Sequence, residues 1–97
     1  MCGICGMFGG SEPAIAEAMT SALAHRGPDD AQVVSQPQFC LGVRRLSIVD
    51  VEHGRQPVSN EDGTIWAAQN GEIYNFPHLR PELIARGHRL QSHTDTE

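Results

Sequence analysis

The sequence begins with a cysteine directly after the initiator methionine. Because the side chain of Cys2 is small, Met1 can be removed, and Cys2 would then carry both a thiol and a free α-amine. The unperturbed thiol has a pKa of about 8.5 and the α-amine one of about 7.7–8.0. One residue would therefore supply a nucleophile together with its own general base. Position 2 alone does not establish this, because many proteins carry an incidental cysteine there.

The other two cysteines leave further interpretations open. Cys2 and Cys5 form a Cys-x-x-Cys pair, and Cys40 is the third cysteine. An odd number argues against a disulfide framework, and a zinc site needs a second pair of ligands that is not evident. A redox pair would normally lie between a strand and a helix. The simplest interpretation of Cys5 and Cys40 is that they are small buried hydrophobic residues.

Length and charge exclude several classes of protein. The 97 residues allow at most one small domain, and the net charge of −5 argues against nucleic acid or an anionic membrane as the main partner. No apolar stretch approaches the roughly 20 residues that span a bilayer, and no signal peptide is recognisable. We therefore predict a cytoplasmic chain with reduced thiols.

Periodicity and turn residues predict a strand, a helix and a hairpin in the first half of the chain. The predicted elements are a strand over 4–8, a helix over 14–24, and strands over 31–35 and 39–46. Ser11 is the expected N-cap of the helix, and Gly27 is the expected left-handed residue after its end. Alternation along the last strand places Arg44 and Arg45 on opposite faces of a sheet.

The second half is predicted to contain strands over 65–69 and 89–92 around a second helix. Asn75 is the expected cap of this helix and Gly87 its expected end. Pro81 conflicts with a helix interior, so we expect the helix to start late, near Pro81, or to be kinked. Asn70-Gly71 is the preferred dipeptide of a type I′ hairpin turn, and the same residues can donate hydrogen bonds to an oxyanion.

Six short motifs occur in one order along the chain. They begin at Cys2, His25, Arg45, Gln56, Asn70 and Thr94, and they read CGIxG, HRGPD, RLSIVD, QP, NGEIYN and TDTE. This set closely resembles the N-terminal class II glutamine amidotransferase domain of glutamine-hydrolysing asparagine synthetases. The resemblance covers the whole chain.

The resemblance implies an α+β fold, the four-layer α-β-β-α sandwich of N-terminal-nucleophile hydrolases. Residues 1–97 would form only the N-terminal half of that domain, with the ATP-binding synthetase domain absent. Without the remaining strands, we expect the chain by itself to be marginally stable and to expose an unpaired sheet edge.

The resemblance also implies catalytic roles. Cys2 would attack the side-chain amide of glutamine, with its own α-amine as the base. The side chain of Asn70 and the backbone N–H of Gly71 would stabilise the oxyanion. His25 and Arg26 are expected to be structural and to hold their loop near the site.

Substrate recognition follows from the zwitterionic nature of an amino acid. Arg45 would bind the α-carboxylate of glutamine and Asp95 its α-ammonium group. The remaining substrate-binding positions implied by the resemblance are Leu46, Ile48, Val49 and Glu72.

The implied partners are glutamine and an ammonia-accepting synthetase domain. No cofactor is expected within this segment, whereas the synthetase domain would bind ATP and Mg²⁺ for the amidation of aspartate. Two alternatives remain: an inactive fragment that serves as an interaction module, and an amidotransferase that acts on a different carboxylate.

Overall fold

The computed structural model describes residues 2–46 and 55–97. These residues form an α+β structure with five strands and two helices. The elements in chain order are β1 (Gly3–Phe8), α1 (Pro13–Ala22), β2 (Asp30–Gln36), β3 (Phe39–Arg45), β4 (Val58–Ser59), β5 (Trp66–Ala67) and α2 (Phe76–Ala85). The α+β class agrees with the sequence, while the four-layer sandwich stays a prediction.

Strands β1, β3 and β2 form an antiparallel sheet in that order, with β3 at the centre. The register places Cys5 and Val33 on either side of Gly42. Helix α1 packs on the face of the sheet that carries these residues. Ala16 on the helix is fully buried, and so is Cys40 on β3. The interpretation of Cys40 as a small buried residue is therefore confirmed.

Gly42 lets the helix approach the sheet closely. A Cβ atom at this position would collide with the hydroxyl of Thr20 and lie 2.9 Å from the sulfur of Cys5. The Thr20 hydroxyl donates to the carbonyl of Ala16 at 2.7 Å and lies 3.3 Å from Cys5 Sγ. Cys5 is thus part of the helix–sheet contact, which explains its presence.

The two arginines at the end of β3 diverge as predicted. Arg44 lies on the α1 side of the sheet, where its Nε donates to the carbonyl of Gly27 at 2.8 Å. Arg45 belongs to the opposite face and is 5% exposed. The prediction that alternation separates these two side chains is confirmed.

Both predicted ends of α1 are wrong. The N-cap is Glu12 rather than Ser11, because the Ser11 hydroxyl instead meets the Cys40 thiol at 2.9 Å. The helix ends at Ala22, and short turns continue through residues 23–26. Gly27 has another role: a Cβ there would collide with the backbone of Arg44. The glycine is required for close packing of the loop and not for a left-handed helix end.

Helix α2 runs without interruption from Phe76 to Ala85, so the predicted late start near Pro81 is wrong. The missing N–H of Pro81 leaves the carbonyl of Pro77 without its helical partner. Both prolines are exposed, and water can meet that carbonyl. Gly87 has a φ of 96°, and His88 N donates to Leu83 O at 3.1 Å. The predicted glycine-terminated end is confirmed, in Schellman form.

The strand predictions for the second half are only partly correct. The predicted strand over 65–69 is shorter, Trp66–Ala67, and pairs with Val58–Ser59. The predicted strand over 89–92 is wrong. The backbone N–H groups of Gln91 and Ser92 donate to the carboxylate of Glu97, at 2.6 and 2.7 Å, instead of to a neighbouring strand.

Within the described ranges, no helix is long and apolar enough to span a membrane.

Candidate active site

Cys2 lies immediately before β1 and contacts two distant parts of the chain. Its backbone nitrogen donates to Asn70 Oδ1 at 3.3 Å, across a sequence separation of 68 residues. Its carbonyl accepts a hydrogen bond from Arg26 Nη2 at 3.5 Å. The Arg26 contact supports the predicted structural role of the loop that contains it.

The contact with Cys2 orients the amide of Asn70. A backbone N–H can only donate, so the carbonyl oxygen of the Asn70 side chain must face Cys2. The amide NH₂ group then points away and is available to a negatively charged oxygen. The side chain of Asn70 is exposed, as is Gly71. Both donors predicted for the oxyanion are thus accessible.

The dipeptide Asn70-Gly71 is not a hairpin turn. It follows β5 and leads into the turn that begins α2, so no second strand follows it. The hairpin interpretation of the dipeptide is therefore wrong. The local sequence could not reveal this, because the type of turn depends on whether the following segment pairs.

Asp95 lies against the same loop. Its Oδ2 accepts a hydrogen bond from Ile73 N at 2.7 Å and a longer one from Gln69 Nε2 at 3.4 Å. Asp95 is therefore next to the Asn70-Gly71 loop, although 24 positions separate Gly71 from it in the sequence. The structure therefore places the carboxylate of Asp95 against the residues that flank Asn70 and Gly71.

Gln56 connects these segments and is a residue whose role the sequence did not indicate. Its buried side chain accepts from Gln69 N at 2.7 Å and donates to Thr96 Oγ1 at 3.1 Å. The bond from Gln56 to Pro57 is cis. Gln56 lies in a turn segment without hydrophobic periodicity. The Gln-Pro motif therefore drew attention to this position but could not indicate which residues its side chain contacts.

Arg45 ends the central strand on the face that also carries Val43. Extending the β1–β3 register by one residue places Cys2 opposite Arg45. Its neighbour on β2 is Asp30. A buried guanidinium in this position can recognise a carboxylate bidentately.

The remaining predicted site residues lie at the periphery. Leu46 is 40% exposed, and Glu72 is exposed on the Asn70-Gly71 loop. Ile48 and Val49 lie outside the described residues.

The Cys-x-x-Cys pair does not form a dithiol or metal site. Cys2 and Cys5 are separated by three positions of extended chain, about 10 Å, and alternation directs their side chains to opposite faces. Cys5 faces α1, as its contact with Thr20 shows. Among residues 2–46 and 55–97, no three His, Cys, Asp or Glu side chains cluster closely enough to hold a metal ion.

Two cavities lie near α2 and the segment over 88–97. The larger, about 250 Å³, is lined by residues that include Glu61 and His88. The smaller, about 160 Å³, is lined by residues that include Ile73 and Asp95. Neither cavity is lined by Cys2. The candidate site therefore consists of converging polar groups, of which Asp95 also lines the smaller cavity.

Hydrogen bonds lower the pKa of the Cys40 thiol and the pKa of the Glu97 carboxyl group. The Ser11 hydroxyl lowers the pKa of the Cys40 thiol, against the opposing effect of burial. Burial tends to raise the pKa of Glu97, but hydrogen bonds from Gln91 and Ser92 outweigh it and lower the pKa overall. Glu97 therefore remains ionised, and its carboxylate joins the end of the loop that contains Asp95 to Gln91 and Ser92 at its start.

Residues 1–97 match the family described as glutamine amidotransferase domain. The chain belongs to this glutamine amidotransferase family. The match covers the whole chain and includes all the residues of the site described above.

This glutamine amidotransferase domain is similar to proteins named as glutamine-hydrolysing asparagine synthetases. It is 41% identical over 104 aligned positions to asparagine synthetase 1 of Bacillus subtilis (strain 168). It is 42% identical over 103 positions to a probable asparagine synthetase of Dictyostelium discoideum. Identity to asparagine synthetase 1 of Arabidopsis thaliana is 36% over 102 positions. The resemblance inferred from the six motifs is confirmed.

The alignments cover 100% of the chain but only 16–18% of each relative. The glutamine amidotransferase segment thus spans about one sixth of the length of these synthetases.

Proposed function

We propose that Cys2 hydrolyses glutamine to glutamate and ammonia. The observation that carries this proposal is the hydrogen bond between the Cys2 nitrogen and Asn70 Oδ1. Removal of Met1 would turn that nitrogen into an α-amine. One N–H of the amine would still donate to Asn70, and the nitrogen lone pair would be left to accept the thiol proton.

The proposed reaction has two steps. The Cys2 thiolate attacks the side-chain carbonyl carbon of glutamine, and a C–S bond forms as the carbonyl oxygen becomes an oxyanion. The Asn70 amide NH₂ and the Gly71 N–H stabilise this charge. The C–N bond then breaks, and ammonia leaves with a proton returned by the α-amine. Water hydrolyses the resulting thioester to glutamate and regenerates the thiol.

The substrate is proposed to lie between opposite charges. Arg45 binds the α-carboxylate of glutamine, and Asp95 binds the α-ammonium group. The support for this arrangement is that the register places Arg45 beside Cys2 and that Asp95 contacts Ile73 N at 2.7 Å. Leu46, Ile48, Val49 and Glu72 are proposed to frame the amino-acid end of the substrate.

The wider activity is proposed from the similarity to asparagine synthetases. Ammonia would pass to a synthetase domain that binds ATP and Mg²⁺ and amidates aspartate. The domain would adopt the four-layer sandwich when complete and act in the cytoplasm, where thiols remain reduced. Formation of asparagine from aspartate, glutamine and Mg·ATP by the intact protein tests this part of the proposal.

The catalytic proposal is tested with an electrophilic diazoketone analogue of glutamine. We expect the analogue to alkylate Cys2, as detected by peptide mass spectrometry, and we expect glutamine to protect the thiol. The Cys2→Ala variant should lose both labelling and glutamine hydrolysis. Cys5→Ala is the matched control and should retain both, because the Cys5 thiol faces α1.

A protein with an additional residue retained before Cys2 separates the roles of thiol and amine. It keeps the thiol but lacks the free α-amine, and it should hydrolyse glutamine far more slowly. Hydrolysis that persists in Cys2→Ala would contradict the proposal.

A further inference from the structure

Gln56 contacts two segments of the candidate site that are far apart in sequence. Its side chain is 8% exposed. Its Oε1 accepts from the backbone of Gln69 at 2.7 Å, and its Nε2 donates to Thr96 Oγ1 at 3.1 Å. A single carboxamide therefore joins the end of the β5 segment to the loop that follows residue 91.

Each partner of Gln56 adjoins a residue of the proposed machinery. Gln69 immediately precedes Asn70, the proposed oxyanion donor, and Thr96 immediately follows Asp95, the proposed ammonium binder. We infer that Gln56 is a positioning residue that sets the separation between the reactive end and the amino-acid end of the site. This inference rests on the proposed function.

The chemistry of the carboxamide matches this role. The Gln69 N–H needs an acceptor, and the Thr96 hydroxyl oxygen accepts here. An amide side chain offers an acceptor and a donor side by side. The direct contact between Gln69 Nε2 and Asp95 is longer, at 3.4 Å. Because Gln56 is buried, its removal also leaves the Gln69 N–H without its partner.

A positioning role predicts a change in substrate discrimination. Glutaramate is glutamine without the α-amine, so it cannot use Asp95. If Gln56 places Asp95 relative to Cys2, its loss should weaken the advantage of glutamine over glutaramate. A general loss of folded protein would reduce kcat/KM for both substrates equally and leave their ratio unchanged.

The experiment measures kcat/KM for L-glutamine and for glutaramate in the intact protein with Cys2 at its N-terminus. In Gln56→Met, which is similar in shape but lacks both polar groups, we expect the ratio to fall about tenfold. Thr96→Val removes only the contact between Gln56 and Thr96 and should also lower the ratio. Thr96→Ser keeps the hydroxyl and should keep the wild-type ratio. Gln38→Met, in the exposed turn between β2 and β3, should leave the ratio unchanged.

Asp95→Asn provides the reference. When Gln56→Met is added to Asp95→Asn, the ratio of kcat/KM for L-glutamine to that for glutaramate should change little further. The reason is that both substitutions affect the same proposed contact, between Asp95 and the α-ammonium group of glutamine. An unchanged ratio in Gln56→Met and Thr96→Val, with active wild-type protein, would overturn the inference while leaving the proposed function standing. A wild-type protein with Cys2 exposed that hydrolyses neither substrate would instead remove the proposed function itself.

Discussion

Asn70 presents the two ends of one amide to different partners. The oxygen accepts from the Cys2 nitrogen at 3.3 Å, and this contact turns the NH₂ group outward. At the scale of the residue, one side chain can thus orient the base and stabilise the oxyanion. The motif suggested the second role, and the contact of Asn70 with the Cys2 nitrogen suggests the first.

We expect Asn70→Ala to lower kcat for glutamine hydrolysis on the order of 10²–10³-fold, the usual loss for one oxyanion donor. Because the donor acts mainly in the transition state, KM should change much less. Steady-state assays with glutamine check this. Asn75→Ala is the control, since the Asn75 side chain makes no cap hydrogen bond at the start of α2. Equal losses in both variants would contradict the assigned role of Asn70.

At the scale of the element, α1 and the sheet are held at close distance by the absence of a side chain at Gly42. Thr20 faces that position and is 3% exposed, with its hydroxyl engaged by the carbonyl of Ala16. The Thr20 side chain cannot easily move away from the sheet, because its hydroxyl is held by the hydrogen bond to the Ala16 carbonyl. The adjoining strand β1 begins directly after Cys2, so this packing also supports the position of Cys2.

We expect Gly42→Ala to reduce the free energy of unfolding by about 1–3 kcal/mol, because an added methyl group would collide with Thr20. Denaturant unfolding followed by circular dichroism measures the change. Gly10→Ala is the matched control, since a Cβ at Gly10 would meet no atom within 4 Å. A stable Gly42→Ala variant would show that α1 can move away from the sheet without loss.

The loop over 91–97 is the second element on which the site depends. Glu97 closes it by accepting from Gln91 N, Ser92 N and Ser92 Oγ, at 2.6 to 2.7 Å. These bonds outweigh the effect of burial and lower the pKa of Glu97. Asp95 lies within this closed loop, so protonation of Glu97 should loosen the Asp95 position.

The lowered pKa predicts the direction of the pH dependence. A carboxyl group with a folded-state pKa below its unfolded value stabilises the protein fully above the ordinary glutamate pKa, about 4.3, and loses this contribution as the pH falls through the folded-state value. Glu97→Gln should therefore be less stable at pH 7 and lose less stability between pH 7 and 3. Urea unfolding across that range tests this, with the exposed Glu17→Gln as control. Parallel pH profiles for wild type and Glu97→Gln would refute it.

At the scale of the whole molecule, the residues that the structure describes form a small core. Its accessible surface is 6318 Å², whereas a compact protein of this mass exposes about 5,500 Å². Phe8 stacks on Phe39 with ring centroids 6.1 Å apart, yet Phe8 is 80% exposed. Helix α2 contains no buried residue. These features support the prediction of marginal stability for the chain by itself.

We expect the isolated 97-residue chain to unfold at low temperature with a broad transition and to bind a hydrophobic dye such as ANS. The reason is that Ile4 and Phe8, on the sheet face opposite α1, remain in contact with water. Calorimetry and dye fluorescence check this, with Phe8→Ser as a variant that should reduce dye binding. A sharp, high-temperature transition of a monomer without dye binding would contradict the prediction.

The sequence by itself determined the family and those local features that follow from short-range geometry. Six motifs in one order identified the glutamine amidotransferase family, and alternation separated Arg44 from Arg45. Gly87 ended a helix as expected, because a left-handed residue after a helix is a local requirement.

Only the tertiary structure decided which distant groups meet. Gly27 resembled a helix end but serves close packing, and residues 89–92 resembled a strand but bind Glu97. The contacts of Cys2 with Asn70 and of Gln56 with Thr96 span 68 and 40 residues. Such pairs depend on how the chain folds back on itself, and no local periodicity encodes them.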